Sequence, residues 1–149
     1  MTARTGRTAA PVETWMTAEV DAHQGTVLVV DDEPDLSWVM RFNLEVEGFR
    51  TYSAADGKAA LHLIDQHQPE VMILDVMMPV MDGWSVLEEL GKGDRPRPRV
   101  VVVSARTSPE DRARAARLGV DAFIPKPFEL EDLIEVVRSL LPSSENGAA

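Results

Sequence analysis

The sequence contains no cysteine, and aromatic residues make up only 5% of its 149 positions. Without cysteine, neither a disulfide nor a thiolate metal site is possible. The hydrophobic content of 44% is nevertheless ordinary for a globular chain that buries a proper core. A length of 149 residues therefore predicts one domain with short tails.

Long apolar runs and an excess of basic residues are also missing. No apolar run reaches the length of a membrane span, and the N-terminus lacks the apolar region of a secretory signal. The 15 Lys and Arg residues are outnumbered by 25 Asp and Glu residues, which gives a formal net charge of −10. This charge argues against direct nucleic-acid binding, which needs a basic footprint. We expect a cytoplasmic protein that binds neither nucleic acid nor membranes directly.

The chain instead shows a regular alternation of short apolar runs and helical patterns. The apolar runs predict strands at residues 26–30, 71–74, 100–103 and 122–124, and residues 49–53 are predicted to form a further short strand, which makes five. The patterns between and after them predict five helices, at about residues 35–47, 56–67, 84–90, 109–118 and 129–141. This order implies an α/β fold with a doubly wound, five-stranded parallel sheet and helices on both faces.

Polar side chains follow four of the predicted strands. Asp31 and Asp32 follow the first strand, Asp75 the third, Ser104 the fourth and Lys126 the fifth. The carboxyl ends of parallel strands lie on one edge of the sheet, where ligands bind, so these side chains can converge. Each also has a simpler explanation when it is taken alone. The aspartates could be turn formers or helix caps, the serine a turn residue and the lysine a surface charge.

The segment from Asp75 to Gly83 has the pattern D-x-x-M-P-x-M-D-G. This pattern resembles the phosphoacceptor segment of response-regulator receiver domains in two-component signalling. Together with the four polar residues at the other strand ends, the resemblance covers Thr26 to about Leu141. It implies a flavodoxin-like (CheY-like) fold. It also implies that Asp75 accepts a phosphoryl group from a phosphohistidine on a sensor histidine kinase or phosphotransfer protein.

The resemblance further implies a Mg²⁺ site. Asp32 and Asp75 would be direct ligands, Asp31 would act through water, and the backbone carbonyl of Met77 would complete the protein's share. The physical reason is that crowded carboxylates repel one another and raise each other's pKa, and a hard divalent cation with oxygen ligands relieves this repulsion. The side chains of Met77, Met78 and Met81 are expected to pack and fill the loop rather than to bind metal. His62 and His67 have no ligand-spaced partners and are expected to be surface residues.

A phosphoryl group on Asp75 would be contacted by Lys126 and by the Ser104 hydroxyl, as the resemblance implies. The added negative charge should pull the loop after the fourth strand inward. In the family, an aromatic residue on the fifth strand moves with the serine or threonine, and here it would be Phe123. A cis bond between Lys126 and Pro127 is expected on the same grounds.

The surface that changes would comprise the fourth helix, the fifth strand and the last helix. The fourth helix carries arginines and the last carries acids: Arg112, Arg114, Arg117, Glu131, Asp132 and Glu135. Opposite charges on adjacent helices fit a self-complementary homodimer face. Two solvated faces that merely balance each other would show the same pattern.

Two other function classes are compatible with this fold. A pseudo-receiver would act as a phosphorylation-independent scaffold, but the complete five-residue site argues against it. A flavin or nucleotide binder would need a glycine-rich phosphate loop after the first strand, where Asp-Asp-Glu-Pro stands instead. We expect a signalling module that catalyses only its own phosphorylation and dephosphorylation, not an enzyme with a small-molecule product.

The domain is expected to span residues 25–141, between a mostly disordered N-terminal tail (1–24) and a short C-terminal tail (142–149). Within the first tail, Pro11–His23 could form a helical turn or more, with Trp15, Met16 and Val20 on its apolar side. This side could dock on a partner or pack on the domain. The eight residues after Leu141 are too few for an effector domain. A single-domain regulator and a fragment of a larger regulator both stay open.

Overall fold

The five segments predicted as strands all form strands. The computed structural model describes residues 24–78 and 80–142, and its strands are β1 (Thr26–Val30), β2 (Arg50–Ala54), β3 (Val71–Asp75), β4 (Arg99–Ser104) and β5 (Ala122–Pro125). All pairings are parallel, in the order β2-β1-β3-β4-β5. The predicted flavodoxin-like sheet is confirmed, and its strand order reverses between β1 and β3, where ligands bind in such sheets.

Five helices connect or follow these strands, as predicted: α1 (Pro34–Val46), α2 (Gly57–His67), α3 (Gly83–Leu90), α4 (Pro109–Arg117) and α5 (Leu130–Leu140). Three of them begin at a side chain that accepts a backbone N–H three residues later. Asp56 caps α2, Asp82 caps α3 as predicted, and Ser108 caps α4. Glu33 precedes α1 without a side-chain capping bond. Each observed bound of a helix or strand lies within one residue of the predicted one.

The sheet separates two hydrophobic cores. Alternating residues of one strand point to opposite faces, so Leu28 and Val30 belong to one core while Val27 and Val29 belong to the other. The first core is closed mainly by α2 and α3, and the second by α1 and α5. Every residue of β3 is buried, as expected for a central parallel strand. This packing holds the carboxyl end of β3 in a fixed position.

The segment after β3 returns closely onto the strand. The amide of Gly83 donates to the carbonyl of Val76 at 3.1 Å. A Cβ atom at this glycine would lie 2.6 Å from the Cα of Val76 and 2.8 Å from the carbonyl oxygen of Asp75. Only glycine fits this contact, which brings α3 against the end of β3 beside Asp75.

The predicted tails lie largely outside the described residues. This applies to residues 1–23, with the predicted short helix at Pro11–His23, and to residues 143–149. Gln24, assigned to the tail by sequence, is bonded to the domain, because its backbone N–H donates to the carbonyl of Gly48 at 2.9 Å. Among the described helices, none combines the length and apolar character that a membrane crossing requires.

Candidate functional site

Three carboxylates converge at the carboxyl edge of the sheet. Asp31 follows β1 directly, Asp32 is next to it, and Asp75 is the last residue of β3. One carboxylate oxygen from each lies within 4.8 Å of the others. No second cluster of three or more such potential ligands occurs in residues 24–78 and 80–142. His62 and His67 are exposed, as predicted, and His67 stacks on the Tyr52 ring.

Backbone N–H groups orient the two buried carboxylates. The N–H of Glu33 donates to Oδ1 of Asp31 at 2.8 Å, and the N–H of Met77 donates to Oδ1 of Asp75 at 3.0 Å. Their other oxygens meet the ammonium group of Lys126, at 3.5 Å from Asp31 and 3.4 Å from Asp75. The N-cap position of α1 is occupied by Glu33, so the alternative that Asp31 and Asp32 cap this helix is wrong.

The site holds more negative charge than its lysine balances. Asp31 and Asp75 are only 4% and 6% exposed, and the Glu33 carboxylate also lies 3.8 Å from Lys126. Burial raises the pKa of Asp75 above its ordinary value. The N–H of Met77 and the charge of Lys126 oppose this rise, and the charge of Asp31 adds to it. For Lys126, burial lowers the pKa, but the carboxylates outweigh it and the pKa is raised.

Ser104 and Lys126 are linked across the two neighbouring strand ends. The N–H of Lys126 donates to the carbonyl of Ser104 at 2.9 Å, and the Lys126–Pro127 bond is cis, as expected. Asp75 pairs with Val103 in the sheet, so Ser104 lies one residue beyond the partner of Asp75. The Ser104 side chain is fully buried, and its Oγ accepts the N–H of Arg106 at 2.9 Å. Ser104 is therefore also a turn residue, which was the simpler explanation that the sequence allowed.

Phe123 occupies the position on β5 that the sequence indicated. It is half-buried and packs against the first core. The guanidinium group of Arg112, on α4, lies 4.7 Å from the centre of its ring, a cation–π contact. The aromatic side chain thus links β5 to the helix that follows the Ser104 loop.

Sequence reasoning missed or misjudged several contacts around the site. It did not include Glu33, although its place directly after Asp31 and Asp32 was a usable signal. Nothing in the sequence pairs Arg112 with Phe123. Packing was correctly predicted for Met78 and Met81. For Met77 it was wrong, since its side chain is 53% exposed.

The donor set fits a hard divalent cation. All three side chains offer carboxylate oxygens, and Mg²⁺ binds oxygen at about 2.0–2.1 Å, so ligands on opposite sides of the ion are about 4 Å apart. Oxygens that lie within 4.8 Å of one another need only a small adjustment to share such an ion. Excess negative charge at a partly buried edge favours a cation further. The part assigned to the carbonyl of Met77 stays a prediction.

Comparison with known proteins agrees with this geometry. Residues 27–138 match the response regulator receiver domain family. The probable transcriptional regulatory protein TcrX of Mycobacterium tuberculosis is 37% identical over 121 residues, which cover 81% of this chain and 51% of that protein. The transcriptional regulatory protein PrrA of Mycobacterium bovis is 40% identical over 115 residues, which cover 77% and 49%. The chain therefore spans about half the length of these curated relatives.

Solved structures show the same fold. The receiver domain of the Francisella response regulator 1452 aligns with a TM-score of 0.74 at 35% identity, covering 78% of this chain and 96% of that one. A CheY-like receiver domain protein from Methanospirillum hungatei aligns with a TM-score of 0.75 at 28% identity, covering 83% and 98%. Given the family match over most of its length and the cluster of acids at the expected strand ends, the chain belongs to the response regulator receiver domain family.

Proposed function

We propose that Asp75 accepts a phosphoryl group from a phosphohistidine and that this transfer switches the domain between two signalling states. The observation that carries the proposal is the position of its carboxylate. It is buried at the end of β3, grouped with Asp31 and Asp32, and lies 3.4 Å from the ammonium of Lys126. Since receiver domains interact with histidine kinases, the donor is a sensor histidine kinase or a phosphotransfer protein.

The reaction is an in-line displacement at phosphorus. A new P–O bond forms to an oxygen of Asp75 while the P–N bond to the donor imidazole breaks, and its electron pair leaves with the imidazole nitrogen. Asp32, Asp75 and the Met77 carbonyl would hold Mg²⁺ directly and Asp31 would hold it through water. The ion would supply positive charge that offsets the repulsion between carboxylate and phosphoryl group. Asp75 keeps its orientation through the N–H of Met77, which donates to its Oδ1.

Lys126 and Ser104 have separate tasks once the phosphoryl group is attached. The ammonium, which now lies between the carboxylates of Asp31 and Asp75, pairs with a phosphoryl oxygen instead. The Oγ of Ser104 already accepts the N–H of Arg106, so its hydroxyl hydrogen can be donated to another phosphoryl oxygen. Hydrolysis of the acyl phosphate restores the carboxylate. The domain is thus not an enzyme with a small-molecule product. It works in the cytoplasm, where ATP provides the phosphoryl group that the kinase first transfers to its own histidine.

The signal leaves the site through the loop that joins β4 to α4. Movement of Ser104 toward the phosphoryl group displaces Arg106 and the start of α4, whose Arg112 covers Phe123. The affected surface comprises α4, β5 and α5, and it is the proposed face for an output partner or a second copy. The relatives are transcriptional regulators, so in a longer protein this face would control an effector domain. The chain itself is too acidic to be the DNA-binding part.

The direct test is the intact mass after incubation with Mg²⁺ and acetyl phosphate. One added phosphoryl group is expected on the wild type, with none on Asp75→Asn and none when a chelator is present. Asp56→Asn is a matched control, because this half-buried aspartate caps α2, is not one of the three clustered carboxylates and should leave the adduct unchanged. A domain that stays unmodified by acetyl phosphate and by a phosphorylated kinase would instead support the phosphorylation-independent scaffold.

A further inference from the structure

Helix α1 exposes an apolar stripe on the side that faces away from the core. Ser37, Met40 and Leu44 are its buried residues. Trp38, Phe42 and Val46 lie on the other side and are 62%, 50% and 67% exposed. The two aromatic rings stack, with centroids 5.2 Å apart. Large apolar side chains that adjoin one another in solvent indicate an interaction surface rather than chance exposure.

The N-terminal segment enters the domain at one end of this stripe. The backbone N–H of Gln24 donates to the carbonyl of Gly48 at 2.9 Å, and its side-chain Nε2 donates to the carbonyl of Glu47 at 2.8 Å. Glu47 directly follows Val46, the last residue of the stripe and of α1. Gln24, the residue to which the preceding segment is attached, therefore lies beside one end of the exposed apolar surface.

The segment carries a matching pattern. Val12, Met16 and Val20 are spaced four residues apart, as are the three residues of the stripe. Val20 precedes Gln24 by four positions. In a helix, residues eight positions apart lie about 12 Å apart, so both sets have the same length. We propose that residues 12–20 form an amphipathic helix that docks on the Trp38–Phe42–Val46 stripe. The helix runs parallel to α1, with Val20 at the Gln24 end.

Apolar contact and the tether drive this docking, and charge opposes it. The segment carries Glu13 and Glu19, while Asp35 and Glu45 are exposed on α1 and are only partly offset by Arg41, which lies 3.8 Å from Glu45. A separate acidic partner would meet the same repulsion without being covalently linked to the domain. The short tether through Gln24 gives the segment an effective concentration at the stripe in the millimolar range. Added salt should screen the repulsion and strengthen the docking.

The absence of native cysteine permits a clean disulfide test in the full chain. Met16→Cys combined with Phe42→Cys should form an intramolecular disulfide about tenfold faster than Thr14→Cys combined with Phe42→Cys, because docking raises the local concentration of only the first pair. Thr14 has the same tether but lies on the opposite side of the predicted helix. Equal rates of disulfide formation in the two double variants would overturn the proposal. Mainly intermolecular disulfides would also overturn it, because the stripe would then be covered by the segment of another copy.

Hydroxyl-radical footprinting gives a second measurement, without changing α1. Trp38 should be protected from oxidation in the wild type, lose that protection in Met16→Glu and keep it in Thr14→Glu. Trp84 is buried, so its oxidation shows whether any variant has unfolded. Equal oxidation of Trp38 in all three proteins contradicts docking by this segment, whether the residue is free throughout or covered by something else throughout.

Discussion

The carboxylate of Asp75 is placed where it costs stability. Burial raises its pKa, which means that folding disfavours its ionised form, and the charge of Asp31 adds to this effect. At neutral pH, a neutral side chain of the same shape should therefore be preferred. The N–H of Met77 could still donate to an amide oxygen at that position. We expect Asp75→Asn to raise the free energy of unfolding by about 1 kcal/mol when a chelator is present.

Chemical denaturation with and without Mg²⁺ checks this expectation. Of the wild type and Asp75→Asn, only the wild type should gain appreciable stability from the ion, because an ion that binds only the folded state stabilises it. The control is Asp111→Asn, at a buried aspartate that accepts the Ser108 hydroxyl at 2.8 Å and pairs with Arg106. This variant should lose stability in either condition. If Asp75→Asn is less stable than the wild type in chelator, the charge of Lys126 fully offsets the destabilisation of the Asp75 carboxylate by burial and by Asp31.

Ser104 and Ser108 lie at the two ends of the loop between β4 and α4 but have different roles. Ser108 caps α4, and its replacement by alanine should cost about 1 kcal/mol without changing the phosphorylation rate. Ser104→Ala leaves the N–H of Arg106 without its partner, at a similar cost, and also removes the hydroxyl proposed to contact the phosphoryl group. Adduct formation with acetyl phosphate, followed by intact mass, should be slower only in Ser104→Ala. Equal rates in the two variants would remove Ser104 from the reaction.

At the scale of elements, Gly83 shows how α3 supports the site. A methyl group there would meet Val76 and the carbonyl of Asp75 at distances under 3.0 Å, so α3 must move away from β3. We expect Gly83→Ala to lower the free energy of unfolding by about 1–3 kcal/mol and to slow phosphorylation. Gly91→Ala, at the other end of α3, makes only ordinary contacts and should be neutral in denaturation and phosphorylation assays. A neutral Gly83→Ala would mean that α3 adapts without disturbing Asp75.

The elements were predictable from sequence because burial and periodicity determine them. Strands buried on both faces, such as β3, appear as continuous apolar runs, and Asp82 marked the start of α3 by its capping chemistry. The convergence of the site followed from topology, since parallel strands end on one edge. The orientation of single side chains did not follow. Trp38 and Met77 are apolar yet face solvent. Trp38 stands apart from the helical spacing of the buried residues of α1, whereas no periodic pattern in the loop separates Met77 from the buried Met78.

The whole molecule carries a formal charge of −10, and two copies therefore repel each other. The sequence suggested that arginines on α4 and acids on α5 offset this in a dimer. In the structure, Arg114 lies over the ring of Trp84 and near Glu88 of α3. Glu131 and Glu135 border a shallow depression together with Glu47, at the end of α1. The exposed Arg112 and Arg117 of α4 and the exposed Asp132 of α5 stay available to an interface of α4, β5 and α5.

With a net charge of −10 on each copy, a dimer formed on phosphorylation must depend mainly on shape and apolar contact. We expect association to be weak, to require the phosphoryl group on Asp75 and to strengthen as salt screens the net charge. Sedimentation velocity with Mg²⁺ and acetyl phosphate, at low and at raised salt, measures all three properties, with Asp75→Asn as the unphosphorylated control. A dimer that dissociates on adding salt would show that complementary charges hold it after all. A monomer under every condition would leave the α4–β5–α5 face to a different partner.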